Sequence, residues 1–153
     1  MKYVYYYETL IGRIGIAEEE GYITDVILPS YPFEEECIEA ETPLLKKAAE
    51  QLYAYLAGER QVFDLPLKPY GTPFRKRVWD ALCQIPYGET RSYKDIARAI
   101  GNEKACRAVG GANNKNPISI FIPCHRVIGA DGKLVGYGGG IDIKIKLLEL
   151  EKR

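Results

Sequence analysis

The sequence predicts an α+β protein that consists of a small antiparallel sheet with one helix, followed by a mostly helical lobe. Three observations support this prediction. Segments rich in Tyr, Val and Ile lie before residue 29, and apolar residues recur at helical spacing after residue 42. A proline-containing stretch, residues 59–71, separates the two patterns. A chain of 153 residues suffices for two small packed lobes, so we expect a support lobe over residues 1–70 and a functional lobe over residues 71–153.

The first lobe is predicted to begin with three short strands, over residues 2–8, 11–17 and 22–28. Residues 18–21 form the turn between the second and third strands, and residues 29–41, rich in Pro and Glu, are predicted to be a loop.

One helix follows in this lobe. Thr42 is suited to an N-cap, Pro43 to the first helical position, and Gly58 to the end of the helix. The apolar face between them consists of Leu45, Ala49, Leu52 and Leu56.

The second lobe begins in the same way, with Thr72 as the cap and Pro73 as the first helical residue. The apolar face of this helix consists of Phe74, Val78 and Leu82, and Ile85-Pro86-Tyr87-Gly88 ends it. Residues 92–95 resemble a capping box, with Asp in place of Glu, at the start of a helix over residues 93–100.

A second short helix is predicted over residues 103–112, after a turn that contains Gly101. Two short helices joined by such a turn suggest a helix-turn-helix, although many helical hairpins bind nothing. We then expect a strand at residues 123–126, glycine-rich turns, and a last helix over residues 142–151.

Charge is divided unevenly along the chain, although the net charge is zero. Acidic residues outnumber basic ones by seven in residues 1–70, and basic residues outnumber acidic ones by seven in residues 71–153. This asymmetry is typical of a basic half with a polyanionic partner, or of two ordinary solvated surfaces, and charge alone does not decide between them.

The sequence has no apolar run long enough for a membrane span and no apolar signal core at its N-terminus. We therefore expect an intracellular protein, in the cytoplasm and associated with the nucleoid, or in the nucleus of a eukaryote. Its four cysteines show no CxxC spacing, and three of them, Cys37, Cys83 and Cys106, are expected to be packing residues.

The fourth cysteine, Cys124, directly precedes His125, the one histidine of the chain. A thiol needs a base or a positive neighbour to become the nucleophilic thiolate at neutral pH, so His125 is the natural partner of Cys124. The alternative is a buried structural cysteine beside a hydrogen-bonding histidine.

The residues around this pair, and others spread from residue 71 to residue 151, form an ordered series of motifs. They are Gly71-Thr72-Pro73-Phe74, Val78-Trp79, Ile85-Pro86-Tyr87-Gly88-Glu89-Thr90, Ser92-Tyr93, Arg107-Ala108-Val109-Gly110, Asn116-Pro117, Pro123-Cys124-His125-Arg126-Val127, Gly136-Tyr137-Gly138-Gly139, Lys144, Leu147-Leu148 and Glu151. In this series the second lobe resembles the O6-alkylguanine-DNA alkyltransferases, the methylated-DNA–protein-cysteine methyltransferases. Residues 1–70 match loosely, and the resemblance implies a ribonuclease-H-like fold for them.

The resemblance implies DNA repair by irreversible transfer of the alkyl group from O6-alkylguanine to Cys124, with O4-alkylthymine as a second candidate substrate. His125 would take the thiol proton through a water, and Glu151 would orient and charge His125, a relay that is chemically sensible because the acid fixes the tautomer. Tyr93 would stabilise charge on the leaving guanine near N3, and Asn116 would hold the active-site turn. Without the resemblance, the sequence predicts that Glu151 is an exposed C-terminal glutamate.

The resemblance also implies a small apolar pocket for the base. Backbone groups of Cys124 and Val127 would read the guanine edge, and residues 135–140 would form one wall. Within this wall lie Val135, Tyr137, which packs on the base or in the core, and Gly138, where some relatives have a serine that bonds O6.

The expected partner is double-stranded DNA that contains O6-alkylguanine, bound through its minor groove by a monomer, with the damaged base flipped out. Arg107 would fill the gap left by the base, or contact a phosphate. The small residues of the second helix, Ala108, Gly110, Gly111 and Ala112, would allow it to approach the groove. Candidate phosphate contacts are Arg75, Lys76, Arg91, Lys94, Lys104 and Lys115.

Two other functions compete with this reading. A DNA-binding relative without transfer activity would lack the nucleophilic cysteine, which Cys124 supplies. A turnover cysteine hydrolase would need an oxyanion hole and would leave the helix-turn-helix unexplained. We expect no cofactor, because the transfer occurs once per molecule. We also expect no zinc, because Cys37 stands alone and no histidine precedes residue 125.

Overall fold

The first half of the chain forms a four-stranded sheet covered by a helix. The structure, a computed structural model, describes residues 1–29, 31–133 and 140–152. The strands are β1 (Lys2–Thr9), β2 (Gly12–Glu19), β3 (Tyr22–Ile27) and β4 (Cys37–Glu39), in the order β3-β2-β1-β4. The first three pair antiparallel, and β4 runs parallel to β1. Helix α1 (Pro43–Leu56) begins at Thr42, whose side chain accepts a hydrogen bond from the Leu45 amide, as its sequence predicts.

The sequence correctly predicts three strands and α1 but misses β4. The predicted loop over residues 29–41 contains the strand Cys37–Glu39, which pairs with residues 2–4 of β1. Three residues are too few to show an alternating pattern, and their partner lies more than thirty positions away, so no local signal marks this strand.

The second half is mostly helical. Its elements are α2 (Pro73–Leu82), β5 (Arg91–Ser92), α3 (Tyr93–Ala99), α4 (Cys106–Asn114), a 3-10 turn (Cys124–Arg126), β6 (Val127–Ile128) and α5 (Ile141–Glu151). The predicted capping box is present, since the Ser92 hydroxyl accepts from the Asp95 amide at 3.0 Å and the Asp95 carboxylate accepts from the Ser92 amide at 2.9 Å. None of the helices in these ranges is long and apolar enough to cross a membrane.

Two predictions for this half need correction. Helix α4 begins at Cys106 instead of residue 103, because the Ala105 amide turns back to the Asn102 carbonyl and residue 105 offers no capping side chain. Residues 124–126 form a 3-10 turn and not a strand, since the Arg126 amide bonds to the Pro123 carbonyl. The turn carries the Cys124 and His125 side chains at consecutive positions, and the β6 strand begins after it.

The two halves share one hydrophobic core. It includes Leu52 and Tyr55 of α1 together with Trp79 of α2 and Leu147 of α5. Backbone hydrogen bonds also join the halves, because the Val26 amide of β3 donates to the Pro117 carbonyl at 2.8 Å. The edge strand β3 therefore contacts the segment that leads into the 3-10 turn.

Candidate active site

The Cys124 thiol lies inside the protein, at the first position of the 3-10 turn. Cys124 is 2% exposed, and its amide donates to the Ile122 carbonyl at 2.8 Å. Its own carbonyl accepts from the Asn113 side chain at 3.3 Å. The C-terminal part of α4 therefore fixes the backbone that carries the sulfur.

Asn116 closes the loop that precedes Cys124. Its side-chain amide donates to the Ile122 carbonyl at 2.8 Å, and its side-chain oxygen accepts from the Ile118 amide at 3.0 Å. The loop contains Ile120, a β-branched residue with a φ of 75°, in a backbone region that such residues rarely adopt. A buried asparagine that spans the loop thus holds a strained segment directly before the thiol.

His125 is fully buried and is held by the last helix. Its Nε2 lies 2.7 Å from Glu151 Oε2, so α5 folds back onto the turn as the sequence reading required. An ionised carboxylate only accepts hydrogen bonds, so Nε2 carries the proton and Nδ1 is the unprotonated nitrogen. Nδ1 is buried and has no hydrogen-bond partner among the described residues. The imidazole is therefore set in the tautomer in which Nδ1 can accept a proton.

Glu151 is 4% exposed and accepts hydrogen bonds from several elements. Arg126 donates through Nε to Oε1 at 2.8 Å and through a terminal nitrogen to Oε2 at 3.0 Å. The Gly88 amide donates to Oε1 at 3.3 Å, and the Tyr55 hydroxyl donates to Oε2. Burial alone raises the pKa of this carboxyl, but the hydrogen bonds from His125 and Arg126 outweigh it and lower the pKa to about 2. Glu151 is thus a permanent anion beneath the imidazole.

Lys144, one of the residues quoted in the resemblance, is also fully buried. Its ammonium donates to the carbonyl of Val127, the residue that follows the turn. Burial lowers the pKa of Lys144, and the neighbouring Cys124 raises it. A positive charge therefore lies close enough to the thiol to favour its ionised form.

In the resting site, the thiol and the imidazole are both neutral. Burial raises the pKa of Cys124, while hydrogen bonds from Asn116 and Ser119 and the charge of Lys144 act against the increase. Burial lowers the pKa of His125 in spite of its bond to Glu151. At neutral pH the site therefore holds a protonated sulfur beside an unprotonated base, an arrangement that can transfer a proton when an electrophile arrives.

A cavity of about 240 Å³ reaches the thiol. Its lining from the second half includes Cys124, Asn113, Asn116 and Ser119, and residues of β3 and of the segment after it form the opposite side. Within the described ranges, no group of three or more His, Cys, Asp or Glu side chains could hold a metal ion.

Tyr93 is the first residue of α3. It is half-buried, a Cβ at Gly110 of α4 would lie 3.8 Å from its ring, and its pKa is raised by burial and by the nearby Cys124. Val127 is buried directly after the turn. Val135, Tyr137 and Gly138 lie outside the described residues.

Helix α4 and the residues beside it carry several of the residues that the sequence assigned to DNA. Arg107 and Ala108 are exposed near the start of the helix, and Lys104 and Lys115 are exposed on either side of it, whereas Arg75 of α2 is half-buried. Ala112 does not fit the assignment, because it is 2% exposed and its carbonyl accepts the Trp79 indole N–H at 2.8 Å. Helical spacing turns residue 112 toward the core, so Ala112 is removed from the DNA surface.

Three ionisable residues of the site had no role predicted from the sequence: Tyr55, Arg126 and Lys144. Arg126 and Lys144 stand in the quoted motifs, and a charged residue among apolar neighbours is the signal that could have found them. Tyr55 lies in α1, far from the motifs. The signal for Tyr55 is weaker. It is a tyrosine next to the apolar stripe of a helix, and a buried tyrosine hydroxyl needs a hydrogen-bond partner.

Comparison with known proteins identifies the family of the chain. A family model described as "6-O-methylguanine DNA methyltransferase, DNA binding domain" matches residues 73–153, and one described as "6-O-methylguanine DNA methyltransferase, ribonuclease-like domain" matches residues 1–69. The constitutive methylated-DNA–protein-cysteine methyltransferase of Bacillus subtilis is 49% identical over 159 residues, which cover 99% of this chain and 96% of that protein. The enzyme of that name from Methanosarcina barkeri is 64% identical over 107 residues, 70% of this chain and 68% of that protein.

A solved structure agrees with the sequence comparisons. The crystal structure of Mycobacterium tuberculosis OGT in complex with DNA superimposes with a TM-score of 0.92 at 48% identity, covering 98% of this chain and 92% of that one. Both family models, a relative matched along nearly its whole length, and this fold lead to one assignment: the chain belongs to the methylated-DNA–protein-cysteine methyltransferase family.

Proposed function

We propose that this protein repairs DNA by moving the alkyl group of O6-alkylguanine onto Cys124, once per molecule. The observation that carries the proposal is the buried Cys124 thiol beside His125, whose imidazole is held by Glu151 with Nδ1 left as a base. A thiol that is protonated at rest and next to an oriented base suits a reaction that begins only when substrate is present.

The transfer is a single displacement at carbon. As Cys124 Sγ forms its bond to the alkyl carbon, the bond from that carbon to guanine O6 breaks and its electrons stay on the guanine. The thiol proton passes to His125 Nδ1 through a water, and Glu151 stabilises the imidazolium. Tyr93 donates near N3 of the leaving base, which ends as ordinary guanine after it takes up a proton.

The product explains why the reaction stops after one event. A thioether is not hydrolysed under these conditions, so the sulfur stays alkylated and no cofactor takes part. A hydrolase built on the same residues would instead release its product and begin again. Counting turnovers therefore separates the two functions.

The DNA contact is assigned to the second lobe, residues 71–153, with residues 1–70 as its support. Helix α4 would lie in the minor groove, with Arg107 in the gap left by the flipped base and Lys104 and Lys115 near phosphates. The exposure of Arg107 and Ala108 supports this orientation. We propose that a monomer acts, in the compartment that holds the DNA.

The test is the intact mass of the protein after it is mixed with a duplex that contains O6-methylguanine, followed by peptide mapping. One added methyl group on Cys124, rising to one equivalent and then stopping, is expected. Cys124→Ser should gain none, because a serine hydroxyl is a far weaker nucleophile at neutral pH, and Cys83→Ser, a change at an exposed cysteine, should behave like the wild type. Repeated turnover, or a methyl group on another residue, would contradict the proposal.

A further inference from the structure

Tyr55 joins the first lobe to the residues that activate the thiol. It lies near the end of α1 and is fully buried, although the rest of the reaction machinery belongs to the second half of the chain. Its ring contacts Phe63 and Tyr87 edge-on or tilted, at centroid distances of 5.2 Å and 6.1 Å. These contacts leave the ring little freedom, so the hydroxyl has a defined position.

That hydroxyl and the imidazole bind the same carboxylate oxygen. Tyr55 donates to Glu151 Oε2, and His125 Nε2 lies 2.7 Å from the same atom. The hydroxyl oxygen is 3.4 Å from Nε2. Because both groups carry a proton and Oε2 is the acceptor for each, the 3.4 Å contact is the side-by-side approach of two donors and not a bond between them.

Three donors share the negative charge of this oxygen, because Arg126 also donates to Oε2, at 3.0 Å. The hydrogen bond from Tyr55 neutralises part of the charge on Oε2, which leaves less of it to stabilise a positive His125. From this geometry we infer that Tyr55 is a positioning residue of the transfer reaction: its hydroxyl fixes Glu151 Oε2 beneath the imidazole and limits how strongly the carboxylate favours the imidazolium. The inference rests on the proposed function, and it gives the first lobe a part in the chemistry.

The expected direction follows from the charges that face His125. Among the described residues, the titratable or charged groups around it are Glu151 and Lys144 of α5, Cys124 and Arg126 of the turn, and Tyr55 of α1. Removal of the Tyr55 hydroxyl leaves the other four in place and leaves Oε2 with more negative charge. The pKa of His125 should then rise by about one unit, within the range that one charged hydrogen bond produces.

The experiment uses the fact that His125 is the one histidine of the chain, so its ring resonances need no assignment. The pKa and tautomer of His125 are measured by NMR in the wild type, in Tyr55→Phe and in Tyr53→Phe. Tyr53 is the matched control, because it lies on the same helix and donates to the Glu8 carbonyl, away from the site. A rise in Tyr55→Phe, without change in Tyr53→Phe, is expected. An unchanged or lower pKa in Tyr55→Phe would overturn the inference, even if the variant were less stable, because loss of packing alone moves the melting temperature and not the titration.

The rate of self-methylation against pH supplies a second readout. His125 must be neutral to accept the thiol proton, so the acid limb of the profile should move to higher pH by the same amount, with about tenfold slower transfer at a fixed pH on that limb. A wild type that transfers no methyl group would contradict the proposed function. A wild type that transfers normally, beside a Tyr55→Phe profile that coincides with it, would contradict only the role of Tyr55.

A measurement on the wild type covers the case in which Tyr55→Phe does not fold. With 13C-labelled tyrosine, the Cζ resonance of Tyr55 should titrate with the pKa of His125, because both groups share Oε2. A Tyr55 resonance that does not respond to the protonation of His125 would contradict the shared hydrogen bond.

Discussion

At the scale of single residues, the buried ion pair of Glu151 and Arg126 affects both the stability of the fold and the chemistry of the site. Arg126 gives Glu151 two hydrogen bonds and donates a third to the Ile85 carbonyl at 2.7 Å. Loss of one partner of such a pair leaves an unpaired buried charge, which costs about 3–5 kcal/mol. Stability and chemistry therefore depend on the same carboxylate.

Glu151→Gln tests this double dependence. We expect the free energy of unfolding to fall by about 3 kcal/mol, because Arg126 loses its counter-charge. The pKa of His125 should fall as well, since the anion that favours its imidazolium is gone. Denaturant unfolding and NMR titration of His125 measure the two effects, and Glu149→Gln, an exposed position on the same helix, is the control. A His125 pKa in Glu151→Gln equal to that of the wild type would contradict the proposal that Glu151 stabilises the His125 imidazolium.

How far the site could be predicted also depends on single residues. Cys124 and His125 stand next to each other, so their pairing is visible in the sequence. Glu151 and Asn116 are distant in sequence and acquired roles only through the resemblance. Tyr55 belongs to no motif, because its place in the site depends on how α1 packs against α5, which no local pattern records.

At the scale of elements, α4 combines a core-facing side with an exposed side of small and basic residues. Val109, Ala112 and Asn113 are buried, whereas Arg107, Ala108, Gly111 and Lys115 are exposed. Apart from the backbone of α4 itself, no atom of the described residues lies within 4 Å of the place where a Cβ of Gly111 would be. Its lack of a side chain is therefore not required by the fold, and the free space suits close approach of another molecule.

Gly111→Ala should separate folding from binding. Alanine in a helix interior is more favourable than glycine by about 0.5–1 kcal/mol, so the variant should be more stable. If α4 lies in a DNA groove, the added methyl group crowds that interface, and overpacking of about 1–3 kcal/mol lowers the affinity for duplex by about tenfold. Thermal unfolding and a binding titration give the two values, and the gain in stability shows that lost affinity is not lost fold. An unchanged affinity of Gly111→Ala for duplex would contradict the prediction that a DNA groove lies against α4 at Gly111.

The elements themselves divide into those with local signals and those without. Thr42, Thr72 and Ser92 each cap the helix that the sequence places after them, because a capping side chain bonds to a backbone amide three residues away. Strand β4 depends on a partner far along the chain, and the sequence misses it. The sequence also misses the 3-10 turn, because the bond from the Arg126 amide to the Pro123 carbonyl is local but no capping side chain marks its start. Helix starts with a capping side chain were therefore predictable, whereas distant strand pairing and the uncapped turn were not.

At the scale of the whole molecule, the two halves form one core, to which Tyr55 from the first half and Trp79 and Leu147 from the second half belong. Glu151 and His125 are buried as well, and Tyr55 donates a hydrogen bond to Glu151. Protonation of Glu151 or His125 therefore affects the stability of the entire fold and not of one lobe.

Stability should fall in acid through two buried groups. The pKa of Glu151 is lowered to about 2 in the folded chain, so its contribution is complete above the unfolded value near 4.5 and is lost as the pH falls toward 2. The pKa of His125 in the folded chain is lowered below its usual 6.5. Below pH 6.5 the unfolded chain therefore binds a proton at His125 more readily than the folded chain does, and the folded state loses stability. Both groups act in the same direction, and each proton contributes up to about 1.4 kcal/mol per pH unit.

Denaturant unfolding, followed through the fluorescence of Trp79, measures this dependence between pH 8 and pH 3. The free energy of unfolding should be nearly level above about pH 7 and should decline below it. His125→Gln should remove the decline that begins near pH 6.5 and keep the steeper loss below pH 4.5. A stability that increases as the pH falls from 6.5 would contradict the burial of a neutral histidine.

The burial of the Cys124 sulfur affects how long an unreacted molecule stays able to react. A protein that reacts once is lost to the cell by every accidental encounter of its nucleophile with an oxidant or a stray electrophile. Because Cys124 is 2% exposed and burial raises its pKa, such reagents meet a shielded thiol and not a free thiolate. Burial of the thiol makes its activation depend on substrate. The same burial therefore slows the loss of unreacted protein by side reactions.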